Sequence, residues 1–257
     1  MIPKIIHYCW LSNDPIPENL QSYLKTWKEK LPGYEFKLWN FDCFDKNSSL
    51  WVSQAFDNKK YAFAADYIRL YAVYNFGGFY LDMDIQVLKS FDDLLNNEIC
   101  LAFENDEKNG IEAGCFGAEK GNKIIGECLE YYKNRSFIKS DGTFDILTLP
   151  KIMFNIISKY KEIKIQDRFT FTCKSYSTGI IETKETSYAI HNFAGSWLSN
   201  EDKNKNEYRY ELIKKYGDSV ISKVLYALFC LKERYRKNGF CKASGFYFKK
   251  YILRRGL

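Results

Sequence analysis

Eight cysteines occur in the 257 residues, yet none are arranged as a CxxC pair, and there are only two histidines. Without paired or laddered cysteines, neither a zinc knuckle nor a disulfide scaffold organises the fold. Cys9, Cys43, Cys100, Cys115, Cys128, Cys173, Cys230 and Cys241 are therefore expected as reduced, mostly buried thiols of a cytosolic protein. No uncharged apolar run approaches the ~20 residues of a spanning helix, which argues against an integral membrane protein. The opening MIPKIIHYCWLSNDPIPE meets Asn13, Asp14 and Pro15 before an apolar signal core could form, so no secretion signal is expected. Internal repeats and low-complexity linkers are also missing.

What is present is ample core material: 46% apolar residues, with aromatics at 18%. That supply and the length suit one large or two small domains. The net charge of +6 is unevenly placed, because nine basic residues against Glu233 follow from Lys232 to the end. This tail is interleaved with Phe240, Phe246, Tyr247, Phe248 and Tyr251. Contact with an anionic membrane surface, contact with RNA and a merely solvated terminal helix all remain open from the composition.

Hydrophobic spacing gives a β-α-β opening: a strand in KIIHYCW, an amphipathic helix over 18–30 stopped by Pro32-Gly33, and a strand over 34–39. A mixed polar stretch to Lys59 reads as loop with short helices. YAFAADYIRLYAVYNF, residues 61–76, reads as a buried helix stopped by Gly77-Gly78. FYLDMDIQVLKSF alternates in the manner of one continuous strand. Further strands are expected at 98–103, 113–118, 170–172 and 187–190, and helices at 122–133 and 146–159, where Pro150 reads as a local disturbance. Alternating strands and helices predict an α/β fold with a largely parallel sheet. The division expected is a catalytic domain over 1–204 and a helical basic extension over 205–257.

Asp82 and Asp84 lie two apart, so in an extended segment their carboxylates face one side and can share Mg²⁺ or Mn²⁺. Paired acids on a solvent-facing strand edge are the alternative. Asp66 and Arg69 are the only charged side chains between Lys60 and Asp82, and their i, i+3 spacing puts them on one face of an apolar helix. Burying such a pair costs several kcal/mol of desolvation, so it either orients a ligand or braces the helix against the sheet. His7, inside the first apolar strand, reads as a core histidine.

Taken in order, KIIHYCW, LPGYEFKLWN, YAFAADYIRLYAVYNFGGFYLDMDIQVLKSFDDLL, GAEKGN and HNFAGSW resemble the DXD-containing glycosyltransferases of family 32. That family includes bacterial capsular-polysaccharide and fungal mannosyl transferases, and the catalytic domains of large clostridial glucosylating toxins look like more distant relatives. The resemblance covers about residues 2–198, and the segment from AADYIRLY to GGFYLDMD is its most specific part. It implies a GT-A fold and transfer of a hexose, with retention, from a nucleotide-sugar donor, a UDP-sugar ahead of GDP-mannose. The acceptor implied is a saccharide or lipid-linked saccharide in capsular or surface polysaccharide synthesis. By position, Trp10 would stack the base and Asp66 and Arg69 would contact the donor sugar. Asp82 and Asp84 would form the DXD, His191 a third ligand better suited to Mn²⁺ than Mg²⁺, and Ser196 and Trp197 a closure over the diphosphate. Core packing remains the alternative for Trp10 and Trp197. Glu112 is a conceivable nucleophile, but none is assigned.

Two other classes compete. A haloacid dehalogenase-like phosphatase would use YLDMDIQV as its aspartyl strand, although the residue expected next is missing and the motif lies far from the N-terminus. A non-catalytic carbohydrate- or RNA-binding module would use the aromatics and the tail. Buried Asp66 and the Asp82/Asp84 pair would repel phosphate without a cation, so no nucleic acid partner is expected. The expected location is cytoplasmic, peripheral at the inner face of the cell membrane.

Overall fold

The computed structural model describes residues 1–195 and 199–238. Ser196 and Trp197 lie outside the described residues. The chain divides into two compact units: residues 1–176 with 181–195, and residues 177–180 with 199–238.

The first unit contains the seven strands found among the described residues: β1 (Ile5–Cys9), β2 (Glu35–Trp39), β3 (Gly78–Leu81), β4 (Ile85–Val87), β5 (Ile99–Cys100), β6 (Cys115–Ala118) and β7 (Ala189–His191). Its helices are α1 (Glu18–Lys30), α2 (Leu50–Asp57), α3 (Tyr61–Phe76), α4 (Lys123–Glu130) and α5 (Leu149–Ile157). The main sheet has the order β2-β1-β3-β6-β5. β1 is parallel to both β2 and β3, while β6 is antiparallel to β3 and to β5. All strands of this sheet but β6 therefore run in one direction, as the alternating pattern predicts. From β1 the chain crosses by α1 to β2 on one side and later returns by α3 to β3 on the other. The carboxyl ends of β1 and β3 flank the point where the order reverses, the crevice in which open α/β sheets bind ligands.

α3 is buried at Ala64, Ala65, Asp66, Ile68, Arg69, Leu70, Ala72 and Val73. Burial on several sides explains why its alanines and aromatics lack a single apolar stripe. Its stop is steric: Gly77 has φ of 68°, and its N–H bonds the Val73 carbonyl at 2.8 Å. Gly78 follows at φ of 102°, and a Cβ there would lie 2.5 Å from the Ile5 carbonyl oxygen, so β3 can pair with β1 only through glycine. His7 locks this junction. The Trp39 indole donates to its Nδ1 at 3.1 Å, so Nε2 carries the proton and donates to the Gly77 carbonyl at 2.8 Å. Fully buried and neutral, His7 has its pKa pushed down to about 4, chiefly by burial.

Three local expectations need correction. The FYLDMDIQV segment is two strands, because Asp82 to Ile85 closes a turn in which the Ile85 N–H bonds the Asp82 carbonyl at 3.0 Å. The 170–172 strand is instead the end of a 3₁₀ turn, Arg168–Thr170, leaving one bridge between Thr172 and Ile190. The helix expected from 146 begins at Leu149, and Pro150 stands in its first turn, where a missing N–H costs nothing.

The second unit contains α6 (Asn200–Tyr216) and α7 (Val220–Asn238). Ser199 caps α6 by accepting from the Asp202 N–H, and Gly217 ends it at φ of 67°. α6 and α7 meet through Tyr208 stacked on Phe229 at 4.1 Å and through Lys237 paired with Glu201 at 2.8 Å. No helix among the described residues is long and apolar enough to cross a membrane. Every cysteine among the described residues is a free thiol.

Candidate active site

The Asp82 to Ile85 turn lies where β3 leaves the main sheet, beside the end of β1. β4 then pairs antiparallel with β7, with Ile85 opposite His191. This two-stranded ribbon brings a residue more than a hundred positions away against the acidic turn. Asp82, Asp84 and His191 each offer a ligand atom, all within 4.8 Å of one another. His191 Nε2 is 3.5 Å from Asp84 Oδ1. Two carboxylates and one imidazole suit Mn²⁺, whereas Mg²⁺ favours an all-oxygen set.

Each ligand candidate is braced. The Ala194 N–H donates to Asp84 Oδ2 at 2.6 Å, and the Asn192 N–H and side-chain amide both donate to the Asp84 carbonyl. To make this wrap, Phe193 adopts φ of 53° and stacks on His191 at 4.2 Å. Tyr80 donates to Asp82 Oδ1 at 2.9 Å. His191 Nδ1–H points to Glu112 at 3.0 Å, so the other ring nitrogen is left to face the aspartates. Glu112 is itself buried, accepting from the Gly114 N–H at 2.6 Å and from the Thr172 hydroxyl. Both its oxygens are engaged, which suits a group orienting His191 and not a nucleophile.

Arg69 is the hub on the other side. It lies 3.4 Å from Asp66 and 3.3 Å from Asp82, donates to the Ala113 carbonyl at 2.8 Å, and rests over the Tyr80 ring. The i, i+3 pair on α3 thus reaches the acidic turn directly. Burial opposes the charge of Arg69, but Asp82, Tyr80 and Asp66 outweigh it and hold its pKa up. Burial also raises Asp66, to about 7, helped by the charge of Asp82 and opposed by Arg69. Asp82 rises by burial and by Asp84, against Arg69 and His191. Burial works against protonating His191, yet Glu112 and Asp84 carry its pKa up to about 10. The pocket thus demands positive charge at His191 when only protons are available, and a cation held by neutral imidazole answers the same demand.

Trp10 lies at the end of β1, and its indole donates to the Asp14 carbonyl at 2.8 Å, folding the following loop. Glu112, Thr172 and Gly114 are the site residues that sequence reasoning did not assign. A Cβ at Gly114 would come within 2.9 Å of Asp82, Glu112 and His191 at once. The only available signal was the AGCFGAE segment itself, whose glycine has no spacing rule to mark it.

A reversed-strand α/β sheet with an acidic turn at its switch point defines the GT-A class. The fold resembles that of the PaToxG glycosyltransferase, with a TM-score of 0.51 at 21% identity over 62% of this chain and 69% of that one. Residues 17–100 match the family described as "Glycosyltransferase sugar-binding region containing DXD motif". The matched stretch holds Asp66, Arg69, Asp82 and Asp84, while Glu112 and His191 fall beyond it.

Among curated relatives, inositol phosphoceramide mannosyltransferase 3 of Schizosaccharomyces pombe is 30% identical over 128 residues, 48% of this chain and 35% of that protein. Mannosyl phosphorylinositol ceramide synthase CSH1 of Saccharomyces cerevisiae is 33% identical over 142 residues, 52% of this chain and 37% of that protein. The matches thus span little more than a third of either relative.

Proposed function

We propose that the chain transfers a hexosyl group, with retention, from a nucleotide-diphosphate sugar to a saccharide or lipid-linked saccharide acceptor. The observation that carries this reading is the convergence of Asp82, Asp84 and His191 at the sheet's switch point, with the Asp66–Arg69 pair against Asp82. The catalytic part is the unit built on the main sheet. The relatives' names put a mannosyl donor and a glycolipid acceptor in front, with UDP-hexoses as the other donors to examine. The site of action is the inner face of the cell membrane, in the synthesis of a surface glycan.

In this mechanism Asp82, Asp84 and His191 would hold Mn²⁺ or Mg²⁺, and Glu112 keeps the His191 ring aimed. Such an ion would supply Lewis-acid charge for a departing diphosphate. Asp66 accepts hydroxyls of the donor sugar, and Arg69 donates to the sugar or to a phosphate oxygen from a position that Ala113 and Tyr80 fix beforehand. Trp10 stacks the base. Because charge on the leaving group is met electrostatically, the residues need not supply a separate acid. No side-chain nucleophile is required, which agrees with both oxygens of Glu112 being committed elsewhere.

The test is a panel of GDP-mannose and UDP-hexoses with Mn²⁺, read as slow donor hydrolysis. At least one donor is expected to turn over, with EDTA stopping the reaction and Asp84→Ala lowering it by about 10²-fold or more. A panel with no response, or an Asp84→Ala rate equal to wild type, overturns the proposal.

A further inference from the structure

α7 begins with four aliphatic residues that the second unit leaves in solvent. Val220 is 76% exposed, Ile221 59%, Val224 51% and Leu228 56%. Positions 220, 224 and 228 follow one another at i, i+4 and i+8, and 221 lies alongside, so the four form one stripe on one side of the helix. The opposite side of α7 is where Phe229 stacks on Tyr208. Scattered exposed aliphatics need no explanation, but a contiguous stripe on a helix marks a surface that meets something apolar.

The charge around the stripe says what. By helical spacing the exposed Lys223 and Lys232 flank the stripe, Lys223 beside Asp218 at 3.0 Å, and Arg236 is exposed a turn beyond Lys232, whereas Lys237 turns to Glu201 on α6. The sequence beyond it adds Lys242, Lys249, Lys250, Arg254 and Arg255 with no acid. A protein face that is aliphatic and strongly cationic complements an acyl layer topped by acidic headgroups. A second copy of the chain would bring like charges together. RNA would want exposed aromatics for stacking, whereas this stripe is Val, Ile, Val and Leu.

We propose that α7 is a membrane-docking helix. It lies in the plane of an anionic bilayer, with Val220, Ile221, Val224 and Leu228 entering the boundary between headgroups and acyl chains. The exposed Lys223, Lys232 and Arg236 of the same helix meet the acidic headgroups. The sequence pointed to the basic tail alone, and the structure adds an apolar anchor upstream of it. This inference is independent of the glycosyl-transfer reading, since docking involves none of the site residues.

The experiment is co-sedimentation of the full chain with large unilamellar vesicles of phosphatidylcholine alone or mixed equally with phosphatidylglycerol. Wild type is expected on the mixed vesicles, with at least a roughly tenfold loss of partitioning on pure phosphatidylcholine or at high salt. Val224→Glu/Leu228→Glu should lower binding to mixed vesicles by about tenfold or more without changing the Tm, because both side chains are already exposed. As a reading that needs no loss of function, Val224→Trp should show a blue shift of its emission when mixed vesicles are added. Equal binding by the double variant overturns the proposal, as does equal partitioning to both vesicle types or a Val224→Trp emission that stays unmoved. A wild-type dimer in sedimentation velocity that the double variant dissolves, with no vesicle binding, assigns the stripe to self-association instead.

Discussion

Glu112 tests whether the site is organised around a cation. Glu112→Gln keeps the shape and removes the charge that aims His191, and outer-shell changes of this kind cost metal sites about 10–100-fold in affinity. Mn²⁺ titration followed by electron paramagnetic resonance should show that loss, with a smaller change in Tm. Unchanged Mn²⁺ affinity would mean that His191 is not a ligand. Asp66, Arg69, Asp82 and Asp84 all stood out as candidates before any coordinates, the first two as isolated charges in an apolar helix and the aspartates through the neighbours that carry the family resemblance. Glu112 stood out only as a conceivable nucleophile and Thr172 not at all, because a buried acceptor of several hydrogen bonds has no sequence period and owes its role to partners distant in the chain. Trp10 was legible as the residue just after β1, where its indole ties down the following loop through the Asp14 carbonyl.

The elements were read well wherever glycine or periodicity marked their ends, and poorly where a turn interrupts an alternating run. FYLDMDIQV alternates throughout, yet Asp82 leaves the sheet and its backbone N–H bonds the Gly114 carbonyl at 2.7 Å. Period alone cannot signal a turn made by pairing with a different partner strand. Two glycine substitutions separate the demands on these elements. Gly78→Ala combines positive φ with a backbone clash that cannot relax, and should prevent β1–β3 pairing, read as loss of the folded fraction or a steep fall in Tm. Gly114 has no positive φ, so Gly114→Ala is a purely steric intrusion among Asp82, Glu112 and His191. It should cost about 1–3 kcal/mol of stability and reduce Mn²⁺ affinity more than a surface change of equal cost does. Equal losses of stability without any loss of Mn²⁺ binding would place these three side chains outside the metal site.

On the scale of the whole molecule, acid should act through His7. The folded state holds it neutral with a pKa of about 4, against an ordinary 6.5, so the unfolded chain binds the extra proton first. The stability it contributes is complete above pH 6.5, falls as pH drops below that value, and is gone below about 4. The difference is worth up to about 3 kcal/mol. His7→Gln should therefore be less stable than wild type at pH 7, with the gap narrowing toward pH 4 in denaturant melts, whereas parallel curves would refute the assignment. The β4–β7 ribbon has a further consequence, for synthesis on the ribosome. A nascent chain that has just emitted the Asp82–Asp84 turn has two carboxylates crowded together and neither the His191 ring nor the Ala194 N–H to relieve them. Only after another hundred residues have emerged can β7 dock and complete the cluster. An ion taken up by all three residues would thus be captured only at the end of the first unit's synthesis, and its capture would serve as a clock for that unit's completion.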